Sequence, residues 1–192
     1  GLAHEFNNLF TGVIANCDYA LRSGDEAARK KALEVALAGC RKAAVVVKNI
    51  QSFARQTKPK IALADLVEIC ARTVQLLQPN LKIRKVKIEK DFGLVAPFAM
   101  DAQAIQQLIL NLLTNAMQAV ESGGTVACRV AQEGEEAIVE VRDTGVGIAP
   151  DVLARLFEPF FSTKGVYART EHDRALAGTG LGLAVSHGIV RQ

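Results

Sequence analysis

Leu2, Phe6, Leu9, Val13 and Cys17 recur at spacings of four, three, four and four, the period of an amphipathic helix. His4, Asn8, Thr11 and Ala15 follow the same period on a different face. At about 100° per residue, His4 lies about 200° round from Leu2 and away from the main stripe. Ser23-Gly24-Asp25 interrupts the pattern, and either Asp25 or Ser23 is placed to cap the next helix. That second helix is expected from about Glu26 to Gln56, striped by Leu33, Ala36, Leu37, Cys40, Ala43, Ala44, Val47, Ile50, Phe53 and Ala54. Two long helices joined by so short a turn cannot bury both stripes alone. Pairing with a second copy into a four-helix bundle buries them, which predicts a homodimer; packing on the rest of the same chain is the alternative.

Thr57-Lys58-Pro59-Lys60 reads as a polar, proline-containing hinge, after which the pattern changes. A short strand is expected over Lys60–Leu63, a helix from an Asp65 cap to about Leu77, and an alternating strand over Lys82–Lys90. Val95–Phe98 suggests another short strand, and Asp101 opens a strongly apolar helix to about Glu121. Gly123-Gly124 then turns into strands at Thr125–Gln132 and Ala137–Asp143, joined at Glu133-Gly134-Glu135. Helices and strands in separate runs point to an α+β sandwich, one mixed sheet with helices on one face. The expected organisation is an all-α hairpin domain, 1–57, followed by an α+β domain, 61–192.

Composition adds mainly exclusions. Among 192 residues, 49% are hydrophobic and 22% charged, which is globular rather than disordered. A net charge of +3, with Lys and Arg spread along the chain, gives no nucleic-acid footprint. The four Cys (17, 40, 70 and 128) are far apart and form no CxxC pair, so they read as small apolar residues of a reducing compartment. No apolar run is long enough to span a bilayer. The chain opens without Met and inside a helical pattern, so it is expected to be a fragment, with any membrane anchor upstream.

Four stretches carry chemistry. His4-Glu5-Phe6-Asn7-Asn8 offers an imidazole beside a carboxylate. In Leu108-Ile109-Leu110-Asn111-Leu112-Leu113-Thr114-Asn115-Ala116, two Asn stand one turn apart in an otherwise apolar helix. Buried amides need partners, either neighbouring backbone or a polar ligand such as a magnesium ion bridging phosphates. Asp143-Thr144-Gly145-Val146-Gly147 ends a strand, either as a glycine-requiring turn or as a carboxylate set to accept from an exocyclic amine. Gly178-Thr179-Gly180-Leu181-Gly182 opens the last helix, where backbone N–H groups suit a phosphate; the dinucleotide fingerprint is not met.

Taken in order, the set closely resembles the histidine protein kinases of two-component signalling, whose catalytic domain belongs to the gyrase-type ATP-binding superfamily. His4 to Asn8 is similar to the phosphoacceptor box, Asn111…Asn115 to the asparagine box, and Asp143–Gly147 and Gly178–Gly182 to the two glycine boxes. Phe157-Glu158-Pro159-Phe160-Phe161-Ser162-Thr163-Lys164 resembles the phenylalanine box. The resemblance implies ATP and Mg2+ as cofactors, with His4 the nucleophile and Glu5 accepting or orienting its other ring proton. It implies Asn115 with Asn111 for magnesium and phosphates, and Asp143 for the adenine amine. Gly145 and Gly147 would line the base, and Gly178, Thr179, Gly180, Leu181 and Gly182 the phosphates. Ser162 to Ala177 would form a lid, with Lys164 a phosphate contact.

It further implies transfer from His4 to an aspartate of a response-regulator receiver domain. Asn8, one turn after His4, would position water for phosphatase action on that regulator. The core would be cytoplasmic.

Hydrolytic members of the superfamily carry Glu one turn before the metal-binding Asn; here Asn111 stands there and cannot take a proton, which disfavours a hydrolytic ATPase. A non-catalytic nucleotide-binding scaffold is disfavoured because His4, Asn115 and Asp143 are all present. Two departures stand out. Gln118 occupies a position where many members carry Lys or Arg, and the family's domain ordinarily continues into another strand beyond the last helix.

Overall fold

The computed structural model describes residues 2–54, 59–159, 161 and 180–191 and, within the first two helices, the side chains of 7–41, 43, 44 and 47. The chain divides into two compact units, Gly1–Gln56 and Thr57–Gln192.

The first unit is a hairpin of α1 (Leu2–Arg22) and α2 (Glu26–Ala54). The choice of cap resolves to Asp25, whose Oδ1 accepts from the Ala27 N–H at 2.9 Å. The helices meet through small residues. Ala20, Ala32, Ala36 and Ala43 are buried, and a Cβ on Gly39 would lie 2.7 Å from Val13 Cγ2, so glycine permits the close approach. The expected α2 stripe is thereby split. Its Ala36 and Ala43 face α1, whereas Leu33, Leu37, Cys40 and Val47 remain exposed, as do Phe10, Ile14 and Leu21 of α1.

The second unit is a two-layer α+β sandwich. Its main sheet has the order β2 (Lys87–Phe92), β4 (Thr125–Glu133), β5 (Glu136–Asp143). β2 runs parallel to β4, and β4 antiparallel to β5, so the sheet is mixed as expected. Along the central strand, Val126, Cys128 and Val130 alternate toward the helices α3 (Leu66–Arg84) and α4 (Ala102–Ala119). Cys70, Val74, Leu77 and Leu81 of α3 and Ile109, Leu113 and Ala116 of α4 close over them. Burial of such side chains, each about 1.5–3 kcal/mol for the large ones, holds the layers together. The far face carries charge: Arg129 reaches Asp91 at 3.5 Å and Glu140 at 3.8 Å. Cys70 and Cys128 are fully buried and hydrogen-bonded to each other, which with burial pushes the Cys70 thiol up.

Three boundaries differ from the sequence reading. α3 runs on to Arg84 through Pro79, so Lys82–Arg84 are helical and the strand begins at Lys87. The hydrophobic repeat Val74, Leu77, Leu81 outweighs the proline, and Lys85 ends the helix at φ 55° with its N–H on the Leu81 and Lys82 carbonyls. The short strands lie at β1 (Ala62–Ala64) and β3 (Phe98–Met100) instead of Lys60–Leu63 and Val95–Phe98. They pair antiparallel with each other as a separate two-stranded sheet, so the described strands make two sheets rather than one.

Asp101 ties this small sheet region to α4. Its Oδ1 accepts from the Gln103 and Ala104 N–H groups at 3.0 and 3.1 Å, and its Oδ2 from the Lys60 N–H at 2.9 Å. These bonds, that of Lys60 foremost, hold the carboxyl below its ordinary range. A depressed folded pKa gives stability that is present above the unfolded carboxylate pKa and lost as pH falls through the folded one. Asp101→Ala is therefore expected to cost about 1–2 kcal/mol in a neutral denaturant titration. The gap to wild type should narrow as the pH is taken below the usual carboxylate range; a gap independent of pH would contradict this.

Candidate functional site

α4 is the axis of the site. Its apolar residues bury one face, and Asn111 and Asn115 interrupt the series half-buried. Asn111 is engaged on both sides of its amide. Its Oδ1 accepts from Gln107 Nε2 at 3.0 Å, and its Nδ2 donates to the Gly182 carbonyl at 3.1 Å. Gly182 opens α6 (Gly182–Val190), and a Cβ there would lie 3.7 Å from Asn111 Cγ, in ordinary contact. The fully buried Leu181 seats the start of that helix.

At its other end α4 meets the loop after β5. The Ala119 carbonyl accepts from the Val146 N–H at 3.3 Å. A Cβ on Gly145 would stand 2.5 Å from that same carbonyl oxygen, backbone that cannot yield, so only glycine fits. Gly147, at φ 71°, needs glycine for its backbone conformation instead. Asp143 is exposed, with Oδ1 accepting from the Gly145 N–H at 2.9 Å. Thr144 pins the loop to β4: its Oγ1 accepts from the Thr125 N–H at 3.0 Å.

Beyond the loop, the four-residue helix α5 (Pro150–Leu153) leads to Phe157, whose ring stacks on His187 of α6 with centroids 4.8 Å apart. The Arg155 guanidinium lies 4.3 Å over the Phe161 ring and pairs with Glu158 at 3.1 Å.

The second unit thus brings Asn111, Leu181 and Gly182 to one stretch of α4, and Asp143 and Gly145 to its end. Gly180, at φ 66°, directly precedes Leu181. Lys164, Gly178, Thr179 and the expected lid lie outside the described residues, as do the side chains of His4 and Glu5. The backbone of His4 and Glu5, and Asn8 with its exposed side chain, belong to α1 in the first unit. Sequence reasoning passed over Gln107, Ala119, Ser186 and His187, and gave Thr144 no role of its own. Gln107 and Ser186 had a signal: each is a polar residue one turn from a site position, in Asn111 and Gly182.

The donor set suits magnesium. That ion takes oxygen ligands, keeps several waters, and is usually held by one or two protein groups together with phosphates. The Asn115 carboxamide oxygen fits this, and Asn111 Oδ1 retains a second lone pair beside its bond from Gln107.

Residues 100–192 match the family of Histidine kinase-, DNA gyrase B-, and HSP90-like ATPases. Sensor kinase CckA of Brucella abortus is 29% identical over 210 residues, covering 100% of this chain and 21% of that protein. Among solved structures, the Acinetobacter baumannii histidine kinase AdeS superposes with a TM-score of 0.70 at 21% identity, covering 98% of this chain and 86% of that one. Histidine kinase ThkA, solved in complex with response regulator protein TrrA, gives a TM-score of 0.75 at 18% identity over 87% of this chain and 52% of that one. At those identities the structural likeness shows the fold. The chain spans 21%, 29% and 40% of the length of three curated relatives it matches.

Proposed function

We propose that the chain carries the catalytic core of a two-component sensor histidine kinase, a reading that the family match and the relatives support, and that it moves the γ-phosphoryl group of ATP onto His4 and from there to an aspartate of a separate receiver domain. In the first step an imidazole nitrogen of His4 attacks the γ-phosphorus. The N–P bond forms, the bond to the ADP oxygen breaks, and Glu5 takes or orients the other ring proton. In the second step the aspartate carboxylate takes the phosphoryl group and the imidazole is restored.

Asn115, with Asn111, holds magnesium and phosphates, Asp143 reads the adenine amine, and Gly145 and Gly147 leave room for the base. Gly178, Thr179, Gly180, Leu181 and Gly182 cradle the phosphates, with Lys164 a further contact. Magnesium, when bound, neutralises charge on the β- and γ-phosphate oxygens. The protein's own contribution is position and fixed dipoles.

The observation that supports this reading best is the pair of attachments along α4. The glycine-rich start of α6 fastens at Asn111 and the Asp143 loop at Ala119. Eight residues of helix rise about 12 Å, a span suited to a nucleotide lying with its base at one end and its phosphates at the other. The exposed Phe10, Ile14 and Leu21 with Leu33, Leu37 and Val47 support pairing of two hairpins into a four-helix bundle. Among the described residues no helix is long and apolar enough to cross a membrane. We propose a cytoplasmic location for this core.

Asn8 lies one turn beyond His4, where it positions water against the phosphorylated receiver. Asn8→Ala is expected to leave autophosphorylation within about two-fold and to slow receiver dephosphorylation roughly ten-fold or more. The check is to follow label on the kinase and on a phosphorylated receiver domain separately. Equal losses in both would end the case for a separate phosphatase role.

A further inference from the structure

α6 begins without a side-chain cap of its own, since Leu181 at that position makes no such bond. Something else must fix the first turn, because the glycine-rich stretch before it has little conformational preference. Three side chains converge there. Gln107 Nε2 donates to Asn111 Oδ1 at 3.0 Å, and Asn111 Nδ2 donates to the Gly182 carbonyl at 3.1 Å. The Ser186 hydroxyl donates to that same carbonyl at 2.9 Å and lies 3.5 Å from Asn111 Nδ2. Ser186 is only 6% exposed, so its hydroxyl has little water to turn to.

We propose that Gln107, Asn111 and Ser186 form a clip that seats the glycine-rich start of α6 on α4, making Gln107 and Ser186 positioning residues for the phosphates of the nucleotide. This deepens, and rests on, the ATP-binding reading above. The clip also gives a structural reason for an amide at 111. That side chain must accept from Gln107 and donate to a carbonyl at once, and a carboxylate cannot donate. A Glu or Asp there would set lone pairs against the Gly182 oxygen and loosen α6, besides any effect on chemistry at phosphorus.

The test uses the full chain and measures binding of Mg-ATP and of adenosine by titration calorimetry. Gln107→Met keeps length and helix preference while removing the donor. It is expected to weaken ATP about two- to ten-fold, the range for one hydrogen bond, and to leave adenosine unchanged, because Asp143 sits at the other end of α4. Ser186→Ala should show the same split, and the double variant should lose less than the product of the two single losses. Unchanged ATP affinity in both variants would overturn the clip. Equal loss of ATP and adenosine, with a lowered melting temperature, would reduce it to a fold contact. A wild-type chain that binds neither ligand would bring down the ATP-binding reading itself, and the clip's role with it.

Discussion

Asp143→Ala is expected to weaken ATP binding about ten- to a hundred-fold while the chain stays folded. The carboxylate is exposed at the end of β5, where it accepts from the Gly145 N–H two residues on. No core packing depends on it. An amine donating to a carboxylate contributes about 1.5–3 kcal/mol, which at about 1.4 kcal/mol per ten-fold gives that loss. The companion variant tests selectivity. Asp143→Asn offers a donor beside its acceptor, so affinity for a keto purine should rise relative to ATP. Calorimetric titration of both proteins with ATP and GTP reads the two effects together. ATP affinity unaltered by Asp143→Ala would remove the adenine-reading role and leave only the turn, a role that Gly145 and Gly147 explain without a ligand.

The fold was legible wherever periodicity was long. Both hairpin helices, the caps at Asp65 and Asp101, and the β4–β5 hairpin follow from repeats and capping residues visible in the chain. Short elements were not. β1 and β3 are three residues each and exist because they pair with one another, a long-range fact that no local window contains. The run of α3 through Pro79 is likewise not local. Read locally a proline ends a helix, but the buried Leu77 and Leu81 draw the chain through it, and the carbonyl four residues before, on the exposed Gln75, is open to water.

The site divides likewise. Residue type and spacing single out Asp143 and the asparagine pair. That Asn111 spends its amide on Gly182, 71 residues later, depends on how α6 docks and was beyond reach. The α2 stripe gives a third case. Its period was correct, but which half faces α1 was decided by Gly39 and the alanines, which admit the close approach that Leu33 and Leu37 would block.

His4→Gln is expected to abolish phosphorylation of the chain. A neutral imidazole carries a nitrogen lone pair that attacks phosphorus, and a carboxamide nitrogen does not. Glutamine is comparable in helix preference to the residues around it, and His4 lies on α1 away from the Leu2–Cys17 stripe, so the hairpin should persist. Nucleotide binding, a property of the second unit, should be retained. The decisive measurement is incubation of wild type and His4→Gln with γ-labelled ATP and magnesium, then acid and base treatment of the protein. Acid-labile, base-stable label on the wild type alone is the result predicted here. Equal label on both proteins, or none on a wild type that binds ATP, would contradict it.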